Sequence, residues 1–455
     1  MKNLRTQHTL HIQLHGSEPS IWRRIEVDGS MTLTRFHDVL QASLGWTDSH
    51  SHLYMDRNPF IRGTIVPRGK PLTWLMPDSI DEGLEGEDES GVSLTKALER
   101  SGGQLWYEYD LGDSWMHLIT EESSRVLDPQ LPAARVLDGA LRVPLENCGG
   151  LHGWYELLEL RRAKTVDPER AYLLDWVKDQ DGYFGNVDSE AFDAGEANMR
   201  VQLKLEGPRT DSVVGAWLGT LPAHARVPLA ETLYRVGVDV FSSPGVGVMP
   251  LEAPHSMESI AWWIRACEGE GLPLTAAGYL TPATLAGVIE GIGWEHEDMV
   301  QFGGKTEANI YSLLAFRTMM MDVGLLKARG RSLVATPAGL RVAKDPNKLW
   351  QHLVKRARNS TRDRSVYDAT MLCALAVAGA GDADAGTIRK RINEGLRMLG
   401  YVRYDGSPLE DDYYPSVGER WNCIMKAFRM ASLENGDKGR AADLERAFSL
   451  GVLRS

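Results

Sequence analysis

An α+β fold is predicted for this chain. The first 205 residues read as a mixed sheet-and-helix roll, and the rest as a mainly helical region with a winged-helix-like module. Three observations predict it. Leu10, Ile12 and Leu14 alternate with His11, Gln13 and His15, the period-two mark of a strand with one buried face. Strands and helices then mix without the regular strand–helix–strand alternation of a parallel sheet. From about residue 210 the texture turns helical, rich in Ala, Leu and Met, with breaks at Pro222, Pro228, Pro244, Pro250, Pro273, Pro282 and Pro337.

Each element has a local reason. The Gly16–Ser20 turn leads to a second strand, Ile21–Val27. Thr32 or Thr34 caps a helix whose Leu33, Phe36, Val39, Leu40 and Leu44 share one face, and Gly45-Trp46 ends it. A strand is expected at His50–Met55, then a short helix at Ser93–Arg100. Tyr107–Tyr109 forms a strand that turns at Leu111-Gly112, and the returning strand places Asp113, Trp115 and His117 on one face. Helices follow at Trp154–Arg162 and after Asp167-Pro168, where Pro suits a first turn.

Bulk composition bounds the function. At 455 residues the chain is expected to form several domains, here 1–205, a helical connection over 206–278, the winged-helix-like module at 279–365 and a helical region at 366–455. No segment reaches the ~20 apolar residues of a membrane span, and Met1–Gly16 lacks the apolar core of a secretory signal. Cys148, Cys267, Cys373 and Cys423 are scattered, with no Cys-x-x-Cys pair, so neither a zinc module nor a disulfide framework is expected and the cytoplasm is the expected location. The net charge of −12 argues against a general nucleic-acid binder, but it is unevenly spread. Residues 78–90 hold seven acids and no base, which reads as a solvated loop, whereas residues 301–365 hold 13 Lys plus Arg against 4 Asp plus Glu.

Within that basic stretch the order is helix from Pro282, helix over Glu307–Val323, a hairpin turning at Arg329-Gly330-Arg331, and a helix from Thr336-Pro337. This is the order of a winged helix-turn-helix, with Arg329 and Arg331 at the wing tip and Arg317 on the candidate recognition helix as DNA contacts. Residues 386–405 give a fainter echo of the same pattern.

The N-terminal part contains several ordered blocks: Ser20-Ile21-Trp22-Arg23-Arg24-Ile25, Leu33 with Phe36-His37, Leu44-Gly45-Trp46, Ser51-His52-Leu53, Tyr109-Asp110-Leu111-Gly112-Asp113-Ser114-Trp115-Met116-His117, and Glu146-Asn147-Cys148-Gly149-Gly150 with Gly153-Trp154. In these blocks, over about residues 5–200, the chain resembles the plasmid pRiA4b ORF-3-like family, also described as the insertion-sequence passenger TnpR family. The resemblance implies an α+β roll and an association with plasmids and mobile elements, and it implies no mechanism. One departure stands out, Glu146-Asn147 where the family usually reads Glu-Asp, which puts any acid–base role of the second position in doubt.

The candidate site collects Trp22, Arg23, His37, His52, Tyr109, Asp110, Asp113, Trp115, His117 and Glu146 as a ligand pocket. No cofactor is expected. The alternative is zinc or manganese on His37, His52, Asp113 and His117, with the Asp110/Asp113/His117 cluster serving a metal-dependent hydrolase. Plain structural roles compete, with Asp110 and Asp113 accepting turn N–H groups and the tryptophans filling a core. Gly149-Gly150 before a helix could offer N–H groups to an anion. No Gly-x-Ser-x-Gly or other nucleophile motif is present. The expected function is therefore non-enzymatic: an accessory or regulatory protein of plasmid or mobile-element type. It would bind a ligand or partner through the N-terminal pocket and DNA through the winged-helix-like module. A protein-interaction scaffold that self-associates or holds another protein is the third reading, and no membrane partner is expected.

Overall fold

In a computed structural model the chain divides into two compact units, Met1–Pro208 and Arg209–Ser455. The described residues are 5–59, 71–163, 170, 173, 176, 191–241, 249–250, 253–294, 305–358, 363–380, 385–411 and 438–454. The helix expected after Asp167-Pro168, and Cys423, lie outside them.

The first unit is built on an eight-stranded sheet. Its strands are β1 (Thr6–Leu14), β2 (Trp22–Asp28), β3 (His52–Met55), β4 (Thr73–Leu75), β5 (Glu87–Asp88), β6 (Gln104–Tyr109), β7 (Trp115–Val126) and β8 (Ala134–Ala140), in the order β5-β4-β3-β6-β7-β1-β2-β8. Every neighbouring pair is antiparallel except β4 with β5. Its helices among the described residues include α1 (Leu33–Leu44), α2 (Pro77–Asp81), α3 (Leu94–Arg100), α4 (Gly150–Arg162) and α5 (Ala194–Glu206). The caps follow the sequence: Thr32 accepts from Arg35 N, Ser93 from Lys96 N, and Gly45 closes α1 in the left-handed region. Helix α1 buries Leu33, Phe36, Val39 and Leu40 in one cluster with Leu10, Ile12, Ile25, Leu105 and Ile119 of the sheet.

The acidic run at 78–90 is exposed over most of its length, as its composition suggested, but it is not all loop and Glu89 is an exception. It contributes α2 and β5, Glu87 pairs with Arg100, and Glu89 is buried at 1% exposure.

The second unit contains α6 (Val213–Gly219), α7 (Ala223–Arg235), α8 (Ala253–Ala266), α9 (Pro282–Gly291), α10 (Tyr311–Asp322), α11 (Pro337–Val342), α12 (Pro346–Arg358), α13 (Arg364–Ala378), α14 (Ala385–Met398) and α15 (Lys438–Arg454). Helix α13 is apolar around most of its girth and lies at the centre, packed against α12, α14 and α15. The carboxylate of Asp368 in α13 is 3% exposed and accepts from Trp217 Nε1, Arg364 Nε and Tyr401 Oη at 2.8–2.9 Å. Strands β9 (Leu272–Pro273), β10 (Leu326–Arg329) and β11 (Ser332–Ala335) form a small antiparallel sheet in the order β10-β11-β9. The element expected from Glu307 onward begins as a 3-10 turn, Glu307–Asn309, and becomes α-helical only at Tyr311. No helix among the described residues is long and apolar enough to cross a membrane.

Candidate functional site

The centre of the first sheet carries a grid of polar aromatic side chains. On β3, β6 and β7 the register sets His52 opposite Tyr109, Tyr54 opposite Tyr107, Tyr107 opposite His117 and Tyr109 opposite Trp115. Because side chains alternate along a strand, these six residues share one face. Helix α1 lies against that face and presents His37 and Gln41, one turn apart.

Hydrogen bonds knit the grid together. His37 Nε2 lies 2.7 Å from Asp48 Oδ1, and His37 Nδ1 lies 2.9 Å from Tyr107 Oη. Gln41 Nε2 donates to the same Tyr107 oxygen at 2.9 Å, and Gln41 Oε1 accepts from Asp48 N at 3.2 Å. Lys204 of α5 donates to Asp48 Oδ2 at 3.2 Å. The donors and acceptors balance when His37 is neutral: Nε2–H donates to the carboxylate and Nδ1 accepts from the Tyr107 hydroxyl. Burial lowers the His37 pKa, against the pull of Asp48. Burial alone would raise the Asp48 pKa, but the hydrogen bond from His37 and the charge of Lys204 bring it down to about 2.

His52 stacks on His37 with ring centroids 3.5 Å apart and planes 5° from parallel, and its Nε2 lies 3.0 Å from Glu89 Oε2. His117 sits deeper still, at 0% exposure. Its Nδ1–H donates to Trp115 O at 2.9 Å, and burial pushes its pKa down to about 3, so it is neutral at physiological pH.

Tyr109 joins the grid to the loop at Glu146. Its hydroxyl donates to Glu146 Oε1 and accepts from Ser49 N at 3.0 Å; burial and then the Glu146 carboxylate raise its pKa. Glu146 also accepts from Thr47 N at 2.9 Å and Thr47 Oγ1 at 2.7 Å.

The ten candidates thus divide into groups. His37, His52, Tyr109, Trp115 and His117 converge on one face, and Glu146 attaches through Tyr109. Tyr109, Trp115 and His117 are 0% exposed, and His52 Nδ1, Trp115 Nε1 and His117 Nε2 have no hydrogen-bond partner among the described residues. Asp110 and Asp113 lie beyond the strand ends. Asp110 Oδ1 accepts from Gly112 N at 3.0 Å and Asp113 N at 3.2 Å, and Asp113 Oδ2 accepts from Gly149 N at 3.1 Å. Asp113 precedes β7 and does not share the inner face with Trp115 and His117.

Trp22 is stacked on His11, 5.2 Å between centroids, while its neighbour Arg23 is the buried side chain of that pair. Arg23 Nε donates to Ser43 O at 3.2 Å and Arg200 Nε to Ala42 O at 2.9 Å, so two guanidiniums answer the last free carbonyls of α1. The Arg23 guanidinium also lies 4.3 Å from the Phe192 ring centre; burial, then the Arg200 charge, lowers its pKa to about 9.

Chemistry at this site is constrained. Among the described residues no group of three or more His, Cys, Asp or Glu side chains is arranged to hold a metal ion. Burial and the Asp113 charge raise the Cys148 thiol to about 12, which keeps it protonated and a poor nucleophile. The Gly149 N–H faces Asp113 rather than an open anion site. Gly150 has φ +69°, and a β-carbon there would meet Asp113 O at 2.8 Å. Gly150→Ala should therefore lower stability by roughly 1–2 kcal/mol from the left-handed backbone alone, and more from the clash. Urea melts compare the two proteins, and equal midpoints would refute the packing role assigned to this glycine.

Sequence reasoning missed Gln41, Asp48, Tyr107 and Glu89. His37 and Gln41 are four apart on an otherwise apolar helix face, which was a legible signal of a buried polar network.

In the second unit, Arg329 and Arg331 are exposed at the hairpin turn, with Arg329 Nη2 donating to Gly269 O at 3.0 Å. Arg317 is not presented to solvent as a DNA contact. It is 7% exposed, its Nε lies 2.6 Å from Glu307 Oε1, and its Nη2 donates to Gly278 O at 3.3 Å. The reason is helical phase: Leu313, Phe316, Arg317 and Met320 share the buried stripe of α10.

Comparison with known proteins bears on the first unit alone. A family model described as plasmid pRiA4b ORF-3-like protein matches residues 6–196. The chain is 30% identical over 195 residues to an uncharacterized protein, y4hQ, of Sinorhizobium fredii (strain NBRC 101917 / NGR234), spanning 42% of this chain and 89% of that protein. It is 24% identical to the protein of unknown function MM3350 from Methanosarcina mazei Go1, whose crystal structure superposes with a TM-score of 0.34 and matches 43% of this chain and 98% of that one. The ordered blocks carried by β2, α1, β3, β6, β7 and the Glu146 loop lie inside the matched span. Through this N-terminal unit, the chain belongs to the plasmid pRiA4b ORF-3-like protein family.

Proposed function

We propose that the protein is a non-enzymatic accessory protein that binds DNA through the β9–α9–α10–β10–β11 module of its second unit. The observation that carries this reading is the order, among the described residues, of strand, helix, helix and hairpin, with all three strands in one antiparallel sheet. We read this order as that of a winged helix-turn-helix, in which the hairpin would be the wing that meets the DNA backbone. Arg329 and Arg331 flank Gly330 at the exposed turn, whose φ of +60° suits a tight reversal. The excess of nine positive charges over residues 301–365, within a chain of net charge −12, supports the same assignment. A catalytic reading of the first unit has less support, because His37, His52 and His117 are buried and the turn carboxylates of Asp110 and Asp113 are engaged by backbone N–H groups.

The test is duplex binding by the full chain across a salt series, beside Arg329→Ala/Arg331→Ala. Each lost phosphate contact should reduce the slope of log K against log salt by ~0.9, so the double variant should lose about 1.8. Absence of binding by the parent at low salt would overturn the DNA reading and leave the module as a protein-contact surface.

A further inference from the structure

Helix α10, which would be the recognition helix on that reading, carries a single cation, Arg317, and that one is buried against Glu307. Its exposed residues include Tyr311, Thr318 and Asp322, none of them basic. The exposed positive charge of the module and its neighbours lies elsewhere. Arg341, Lys344, Lys348, Gln351, His352 and Lys355 line an open concavity of about 530 Å³ between α11 and α12.

The construction of this groove follows from the amphipathic pattern of α12. Leu349, Trp350, Leu353, Val354 and Ala357 are buried, which leaves Lys348, Gln351 and Lys355 exposed on the outer face. Lys348 and Lys355 are two turns apart, about 10 Å along the axis, close to the rise of three nucleotides on one DNA strand at ~3.4 Å each. Asp345, at the mouth, caps the helix through Oδ1, which accepts from Asn347 N at 2.9 Å and Lys348 N at 3.4 Å, while its Oδ2 lies 3.6 Å from Lys348 Nζ in an exposed ion pair that a phosphate would displace. His352 forms a fixed wall, its Nε2–H donating to Val323 O at 2.8 Å, where burial and the adjacent Arg356 and Lys355 lower its pKa. The cationic character of the groove thus comes from Arg341, Lys344, Lys348 and Lys355 rather than from His352.

The chemistry selects the ligand. The groove is open and lined by flexible lysines, and the tryptophan of α12 is turned into the core at 0% exposure, which removes it as a stacking platform for a base. Flexible point charges without stacking suit a phosphodiester backbone read without regard to sequence. Thr336, directly after β11, caps helix α11, so the groove and the wing tip belong to one continuous stretch of chain.

We propose that Arg341, Lys344, Lys348 and Lys355 form a second, sequence-independent phosphate-contact face for duplex DNA, and that this face rather than α10 supplies most of the electrostatic attraction. The proposal rests on the DNA-binding reading above and assigns residues that reading does not.

The experiment uses the full chain and a mixed-sequence duplex across a salt series. It compares the parent, the wing variant Arg329→Ala/Arg331→Ala, a groove variant Lys344→Gln/Lys348→Gln/Lys355→Gln, and the same three positions changed to Arg. The Gln variant should lower the salt slope by about 2.7, three contacts at ~0.9 each, equally for unrelated sequences, and the Arg variant should keep the parental slope. Parental binding with an unchanged slope in the Gln variant overturns the groove and leaves the wing reading intact. A parent that binds no DNA at low salt overturns both. Groove-dependent capture of phosphatidylserine vesicles without DNA binding would reassign the face to a membrane surface. Far-UV circular dichroism of the Arg variant against the Gln variant separates loss of charge from loss of fold.

Discussion

Arg317→Ala is expected to destabilise the second unit by about 3–5 kcal/mol, the range for stranding one member of a buried ion pair. Glu307 is 0% exposed, and its two oxygens divide their work: Oε1 takes Arg317 Nε at 2.6 Å and Oε2 takes Leu280 N at 2.7 Å. The pair therefore fastens the 3-10 turn before α10, α10 itself and the segment leading into α9. Removing the cation leaves a carboxylate in a dry site with one N–H donor. Replacing both partners, as Glu307→Leu/Arg317→Met, should cost much less than the sum of the single changes, since no charge is left buried. Urea titration followed by tryptophan fluorescence measures both. A loss below about 1 kcal/mol for Arg317→Ala would mean the pair is solvated in solution and the arginine is free to reach a ligand.

A second large effect should come from acid. His117 is neutral in the fold with a pKa near 3, against an unfolded value of 6.5. The folded state thus binds fewer protons than the unfolded chain between those two values. Nothing is lost above pH 6.5, and stability falls as pH drops from 6.5 toward 3, by about 1.4 kcal/mol per unit. Between pH 7.5 and pH 5 the loss from this one group should be about 2 kcal/mol. His37, whose pKa is also lowered, adds to it in the same direction. Asp48 acts in a separate, lower window: its folded pKa of about 2 lies below the ordinary 3.8, so its contribution disappears only below that range. Urea unfolding at the two pH values, for the parent and His117→Gln, isolates the histidine. The variant should lose markedly less stability on acidification; an identical pH dependence in both proteins would rule out His117 as its source.

Much of the secondary structure was legible because it is locally determined. Thr32, Ser93, Thr281 and Thr336 each cap the helix they precede, and period-two alternation marked β1 and the strands around Asp110–Asp113. The convergence of His37, His52, Tyr109, Trp115 and His117 was also foreshadowed, since inward-facing positions on strands and helices are fixed by their periods.

The partners of those residues were not legible. Glu89 reaches His52 across 37 positions of chain, and Glu146 reaches Tyr109 across another 37, so neither contact leaves a trace in local pattern. A glutamate inside an acidic run reads as solvated, and only the closing of β5 and the following turn against β3 and β4 buries it. Arg317 gives the converse case. Its charge suggested exposure, while its helical phase beside Leu313, Phe316 and Met320 called for burial, and phase won because Glu307 was there to pair with it. By itself, then, the sequence determined the α+β class, the caps, the inward faces of the first sheet and the family. Tertiary structure alone decided which charges are buried with partners and which are left to solvent, because burying a charge depends on a counter-charge arriving from a distant segment.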